Sequence, residues 1–255
     1  MTLELRDLVV RRDHFRLGPI SAMVLPGRLV AVLGGNGCGK STLLGALAGS
    51  IGADRGEAKR GALDLRRAKP HERAASVSFV PQRPVLDAAF SVRTCVELGR
   101  FALTHRPDRV DEAIERCGLG TLAWRRWHDL SEGQRQRAAL ARAIAQHEPG
   151  GLMLLDEPFA AMDPASARSS LAVVRGCVRS GAAALLATHD LVLAAAADDV
   201  WLLRDGQLVA AGETSQVLVP DVLEAVYGVR FTMIEGVAPR PAPLPSWIDP
   251  DPGTP

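Results

Sequence analysis

No apolar run in this 255-residue chain approaches the roughly 18 residues that a membrane-spanning helix needs. The longest candidates, Ala182–Ala187 and Leu191–Ala197, are far too short, so the chain is expected not to cross a bilayer by itself. An excess of one charge is missing too. Thirty Lys and Arg against 29 Asp and Glu leave a formal net charge of +1, which supplies no global field for nucleic acid. Cysteine is scarce and dispersed: Cys38, Cys95, Cys117 and Cys177 form no C-x-x-C pair. That pattern excludes a zinc knuckle and a disulfide framework and points to reduced thiols. Aromatic residues are only 4%, so the core must rest on Leu, Val and Ala. The start, MTLELRDLVV, alternates apolar positions and carries Glu4 in place of a basic n-region, which argues against a cleaved signal and for a cytoplasmic site of action. There is no internal repeat.

What is present is an ordinary globular balance, 47% hydrophobic and 23% charged, over a length that suits one large domain or a core with a subdomain. Leu3–Val10 alternates as a strand, and Leu29–Leu33 is a short buried strand bounded by Gly27 and Gly34. A glycine loop follows, then a helix through STLLGALAG that closes at Gly49. Ser76–Val80 reads as another strand. Ser91–His147 is mostly helical, with Leu140, Ala143, Ile144 and His147 on one face. Strands return at Leu152–Leu155, Ala183–Ala187 and Val200–Leu203, separated by helices at Ala165–Arg179 and Leu191–Ala197; this alternation implies a parallel, helix-covered sheet. Asp205-Gly206 marks a hairpin to Gln207–Ala211. After Gly236 seven prolines fall in Pro239–Pro255, so residues 237–255 are expected to be an extended, mobile tail.

The stretch Gly34-Gly35-Asn36-Gly37-Cys38-Gly39-Lys40-Ser41 satisfies G-x-x-x-x-G-K-[ST] between a strand and a helix, the context that makes this motif a phosphate cradle. Glycines let backbone N–H groups converge on phosphates, and the helix N-terminus adds positive potential. Lys40 would reach the β- and γ-phosphates of a nucleotide and Ser41 would ligate Mg²⁺, with Thr42 completing the ATP-binding set. A second motif, Leu152-Met153-Leu154-Leu155-Asp156-Glu157, is an apolar strand ending in two acids at the edge where α/β sheets place ligands. Asp156 would hold Mg²⁺ through water and Glu157 would act as general base. In Leu130-Ser131-Glu132-Gly133-Gln134, Ser131 can cap the Arg- and Ala-rich helix that follows, leaving an anion site at its start.

The order of phosphate loop, Gln82, LSEGQ, LLDE and His189 resembles the ATP-binding subunits of ABC transporters over about residues 3–230. The resemblance implies an α/β fold: a P-loop NTPase (RecA-like) core with a mostly parallel sheet, an N-terminal antiparallel β part and a helical subdomain. The expected domain spans 1–236, with the core at about 1–82 and 148–236 and the helical subdomain at about 83–147. In that family two chains sandwich two nucleotides, which makes a homodimer the expected unit. The signature of one subunit closes on the ATP of the other, so Ser131, Gly133 and Gln134 would serve the partner's nucleotide. Glu132 stands where the family has a second glycine. Gln82 matches the Q-loop that senses Mg²⁺ and the attacking water. His189 matches the switch histidine at the γ-phosphate, and Asp163 matches the D-loop that couples the two sites. The usual adenine-stacking aromatic is absent: its position falls near Arg11 or Arg12, with Phe15 a few residues away.

The same resemblance implies permease subunits in the membrane, an extracytoplasmic solute-binding protein beyond them, and peripheral attachment on the cytoplasmic side. No nucleic acid is expected as a partner. VPQR, the F-S-V-R-x-x-V-x-x-G-R segment and DEPFAAMD with Phe159 resemble zinc and manganese importers, which sets the expected cargo. Val226-Tyr227-Gly228-Val229 resembles the alternative group, the iron-siderophore, haem and cobalamin importers. A soluble ABC ATPase of repair or translation is a further alternative, disfavoured by the single nucleotide domain and the short helical segment.

Overall fold

The computed structural model describes residues 1–86, 89–234 and 242–245. The chain runs β1 (Leu3–Arg12), β2 (Phe15–Val24), β3 (Leu29–Leu33), α1 (Lys40–Ala48), β4 (Arg55–Arg60), β5 (Leu63–Asp64), α2 (Pro70–Ala74) and β6 (Val77–Val80). Helices α3 (Val92–Glu97), α4 (Pro107–Arg116) and α5 (Glu132–Gln146) follow, with short 3₁₀ turns between them. The second half is β7 (Leu152–Asp156), α6 (Pro164–Arg179), β8 (Ala183–Thr188), α7 (Leu191–Ala195), β9 (Asp199–Arg204) and β10 (Gln207–Glu213). It continues through α8 (Thr214–Val217), α9 (Pro220–Tyr227), β11 (Phe231–Ile234) and β12 (Ala242–Pro245).

The central sheet has the order β10-β9-β3-β8-β7-β6 and is parallel except for the β9–β10 hairpin. Its inner strands β3, β7 and β8 are apolar on both faces, as strands covered on both sides must be, while the edge strand β10 is exposed at alternate positions. Ala31, Met153, Leu155, Leu186 and Leu202 point into one core with α5 and α6, while Val30, Val32, Leu154, Leu185 and Trp201 point into the other. That second core is closed by an antiparallel sheet, β2-β1-β4-β5, whose Leu3, Leu5, Leu8 and Leu17 pack with Leu43, Leu44 and Leu47 of α1. Helix α1 therefore lies buried between two sheets, which explains an apolar helix with no polar face.

Two elements were hidden in the sequence for physical reasons. Gly18-Pro19 falls inside β2 and reads as a turn; the glycine is there because a Cβ would meet the Leu8 carbonyl oxygen at 2.1 Å at a φ of 88°. Strand β4 is RGEAKR, with only Ala58 and Arg60 buried, so it carries almost no apolar period. The extended tail needs correction over four residues: Ala242–Pro245 pairs antiparallel with Phe231–Ile234, Ile234 opposite Ala242. A short edge strand tolerates proline because only one of its sides needs N–H donors. The remainder of 235–255 lies outside the described residues. Among the described residues no helix is long and apolar enough to cross a membrane.

His147 ends α5 and packs at the turn into β7, where a Cβ on Gly151 would meet its ring at 2.7 Å. Burial, helped by the cations Arg60, Arg109 and Arg116 and opposed by Glu148, pushes the imidazole down to about 4. It is neutral in the fold and regains its ordinary value of 6.5 on unfolding. This contribution to stability is therefore complete above about pH 6.5 and is lost as pH falls toward 4, on the order of 3 kcal/mol in all. Urea midpoints measured from pH 7.5 to 4.5 should show this loss, and His147→Gln should flatten the profile in that window.

Candidate functional site

The phosphate loop leaves the C-terminal end of β3 at the centre of the sheet and enters α1 directly. Gly39, the residue before α1, has a φ of 110°, and a Cβ there would meet Leu17 at 2.7 Å and the Phe15 ring at 3.0 Å. Only glycine fits. Helix α1 starts with no side-chain cap, so its first-turn N–H groups are free for an anion. Lys40 is 7% exposed; its Nζ donates to the Gly34 carbonyl at 2.8 Å and the Gly35 carbonyl at 3.2 Å. The ammonium is thus folded back over the loop it belongs to.

The two acids end β7 as expected. Asp156 is 4% exposed and its Oδ1 is buried with no hydrogen-bond partner. Burial pushes its carboxyl up, the Ser41 hydroxyl beside it pulls it back, and neighbouring Glu157 pushes it up again. A buried carboxylate oxygen without a donor, next to a hydroxyl, fits a hard cation. Glu157 takes the left-handed conformation, φ 47°, which costs about 1–2 kcal/mol for a residue with a Cβ. Its carboxylate lies 2.9 and 3.0 Å from Nδ1 of His189 and 3.9 Å from Nζ of Lys40. His189 is set between β8 and α7 by its neighbours: Thr188 Oγ1 accepts from the Asp190 N–H, and Asp190 caps α7 at Val192 and Leu193.

A cavity of about 670 Å³ is lined by the loop residues Asn36–Thr42 with Gln82, Glu157 and the 12–15 turn; Glu157 also lines a second cavity, of about 1040 Å³, whose wall includes His189. Arg12, His14 and Phe15 line the first; Arg11 does not, and its backbone N–H is bound to Asp54. The structure therefore places Phe15, out of register by counting, against the phosphate loop, because the β1–β2 turn folds over Gly39.

The remaining expected residues meet elsewhere. Ser131, Gly133, Gln134 and Asp163 share a recess of about 200 Å³ that has no residue in common with the first cavity. Ser131 Oγ accepts from the Gln134 N–H at 3.3 Å and Gln134 Oε1 accepts from the Ser131 N–H at 3.0 Å, a capping box at the start of α5. Gly133 is required by contact, since a Cβ would meet the Ala161 carbonyl oxygen at 2.6 Å. Asp163 caps α6 through Ser166, whose hydrogen bonds hold its carboxyl below the usual range. Glu132 is exposed. Gln136, two residues past the signature, was missed by sequence reasoning, because a glutamine inside an amphipathic helix gives no signal of what it touches.

A phosphate loop between β3 and α1, an acid pair at the end of β7, separated from β3 by the parallel strand β8, and a covering antiparallel sheet define a P-loop NTPase. The family model described as ABC transporter matches residues 17–160. The hemin import ATP-binding protein HmuV of Pseudomonas entomophila is 41% identical, with 89% of this chain and 92% of the relative covered. That of Myxococcus xanthus is 35% identical, with 96% of each covered. A metal-chelate type ABC transporter solved in an inward-facing conformation has 27% identity and a TM-score of 0.78, covering 96% of this chain and 97% of the other. A dimeric ATP-binding cassette with ADP and phosphate, 22% identical, has a TM-score of 0.76 over 83% of this chain and 98% of the other, and shows the shared fold. The chain belongs to the ABC transporter family as an ATP-hydrolysing, ATP-binding subunit of the importer type. The zinc or manganese expectation is corrected by these relatives: those at 35–41% identity are named for hemin import, the group read as the alternative.

Proposed function

We propose that this chain powers a haem importer, binding ATP and Mg²⁺ at the phosphate-loop cavity and hydrolysing ATP on the cytoplasmic face of the membrane. The observation that supports the catalytic reading is the junction of Lys40, Glu157 and His189 within hydrogen-bonding or ion-pairing reach beside the loop. Incoming phosphates draw the Lys40 ammonium away from the Gly34 and Gly35 carbonyls, exchanging neutral acceptors for charged ones. That frees the Glu157 carboxylate from its cation, leaving it to accept a proton from the attacking water, with His189 orienting it. Ser41 and Asp156, with Gln82 from the facing loop, would hold Mg²⁺, which neutralises phosphate charge when bound. Ser131, Gly133, Gln134 and Asp163, gathered in their own recess, serve the nucleotide of a second copy.

A groove of about 550 Å³ between α1, β6 and the 98–102 stretch suits permease docking, since Phe101 stands 88% exposed on its rim. The full-length similarity to hemin import proteins supports the cargo. Reconstitution with the co-purifying permease tests it: a haem-loaded extracytoplasmic binding protein should raise ATP turnover several-fold over the empty protein. Stimulation only by a siderophore- or cobalamin-loaded protein would overturn haem as cargo while leaving the ATPase assignment intact.

A further inference from the structure

Gln136 is 2% exposed, five residues into α5 from the Ser131 cap. Its Nε2 faces three carbonyl oxygens from two other segments: Gln82 at 3.2 Å, Pro81 at 3.4 Å and Glu157 at 3.4 Å. Its Oε1 is buried with no partner, so the orientation is set by the three acceptors; a flipped carboxamide would aim oxygen at oxygen. The site is buried, where carbonyls left without donors are costly, and Pro81 contributes no N–H of its own. Glu157 is also the residue held in a left-handed backbone conformation, a state that persists only where its surroundings hold it. Its remaining backbone bonds are its N–H to Ala187 at 3.1 Å and its carbonyl to the Ala160 N–H at 3.3 Å.

We infer that Gln136 is a positioning residue for ATP hydrolysis, fixing through backbone carbonyls the relative placement of the Gln82 loop and the Glu157 carboxylate. This rests on the reading of Glu157 as general base and Gln82 as the residue facing Mg²⁺ and water. Because α5 begins at the signature Ser131, the same amide ties the residues serving a second copy's nucleotide to this chain's own acid. A shift of α5 therefore moves Gln82 and Glu157 together.

The test is made in the permease-assembled transporter with Gln136→Met, which keeps side-chain length and loses both donors, and Gln136→Glu, which presents oxygens to the carbonyls. Both variants should lower kcat about 10- to 100-fold, the scale of an ångström of misplacement, with nucleotide Kd within about threefold. In a cycle with Gln82→Ala, the two losses should be clearly less than additive. A kcat within about twofold of the parent, additive losses, or thermal midpoints lowered by more than about 10 °C in both variants would overturn the inference, the last showing a purely structural staple. Glu157→Gln run alongside separates the two layers. If it abolishes turnover while the Gln136 variants do not, only this inference fails; if it leaves turnover intact, the general-base reading fails with it.

Discussion

Glu157→Gln should reduce steady-state ATP turnover by about 10²- to 10⁴-fold, the range spanned by a positioned general base, while ATP binding is retained. The substitution keeps the side-chain volume in a buried position and still offers an oxygen to His189 Nδ1, now at 2.9 Å from the carboxylate. What it removes is the proton acceptor and the negative charge 3.9 Å from Lys40 Nζ. Releasing that cation should, if anything, strengthen phosphate binding. The check is single-turnover hydrolysis together with nucleotide affinity in one preparation. Turnover within about tenfold of the parent would assign the base to another group.

Lys40→Ala should act on the other side of the same pair, weakening ATP binding by about 10- to 150-fold, since hydrogen bonds to charged groups contribute about 1.5–3 kcal/mol. The ammonium is the buried cation closest to the loop carbonyls and to Glu157, and deleting it leaves that carboxylate buried beside His189 alone. A buried charge stripped of its partner also costs stability, so the thermal midpoint should fall in the absence of nucleotide. Titration of a fluorescent ATP analogue against parent and variant measures the first effect, and unchanged affinity would remove Lys40 from the phosphate cradle.

These two expectations rest on residues that the sequence made visible for a reason. A phosphate loop needs glycine at positions where backbone must turn or approach closely, and an acid pair at the end of an apolar strand stands out against its own background. Gly39 and the β7 terminus met both conditions. Strand β2 did not, because Gly18 serves a close approach to Leu8 inside a strand yet, followed by Pro19, reads locally as a turn. The four paired residues of the tail were hidden in the same way, since proline content predicts poor pairing and an edge strand escapes that rule.

The sequence by itself determined the parallel core, the phosphate loop, the acid pair and the family, because each is written in short-range spacing along one chain. Only the tertiary structure decided that Phe15 lies on the phosphate loop, that the signature and Asp163 share a recess apart from it, and that Gln136 clasps the Gln82 loop and Glu157. Those relations join residues from 21 to 54 positions apart in the case of Gln136, and no local period records them. They arise when α5 packs against the sheet and brings a buried amide to carbonyls of two other segments.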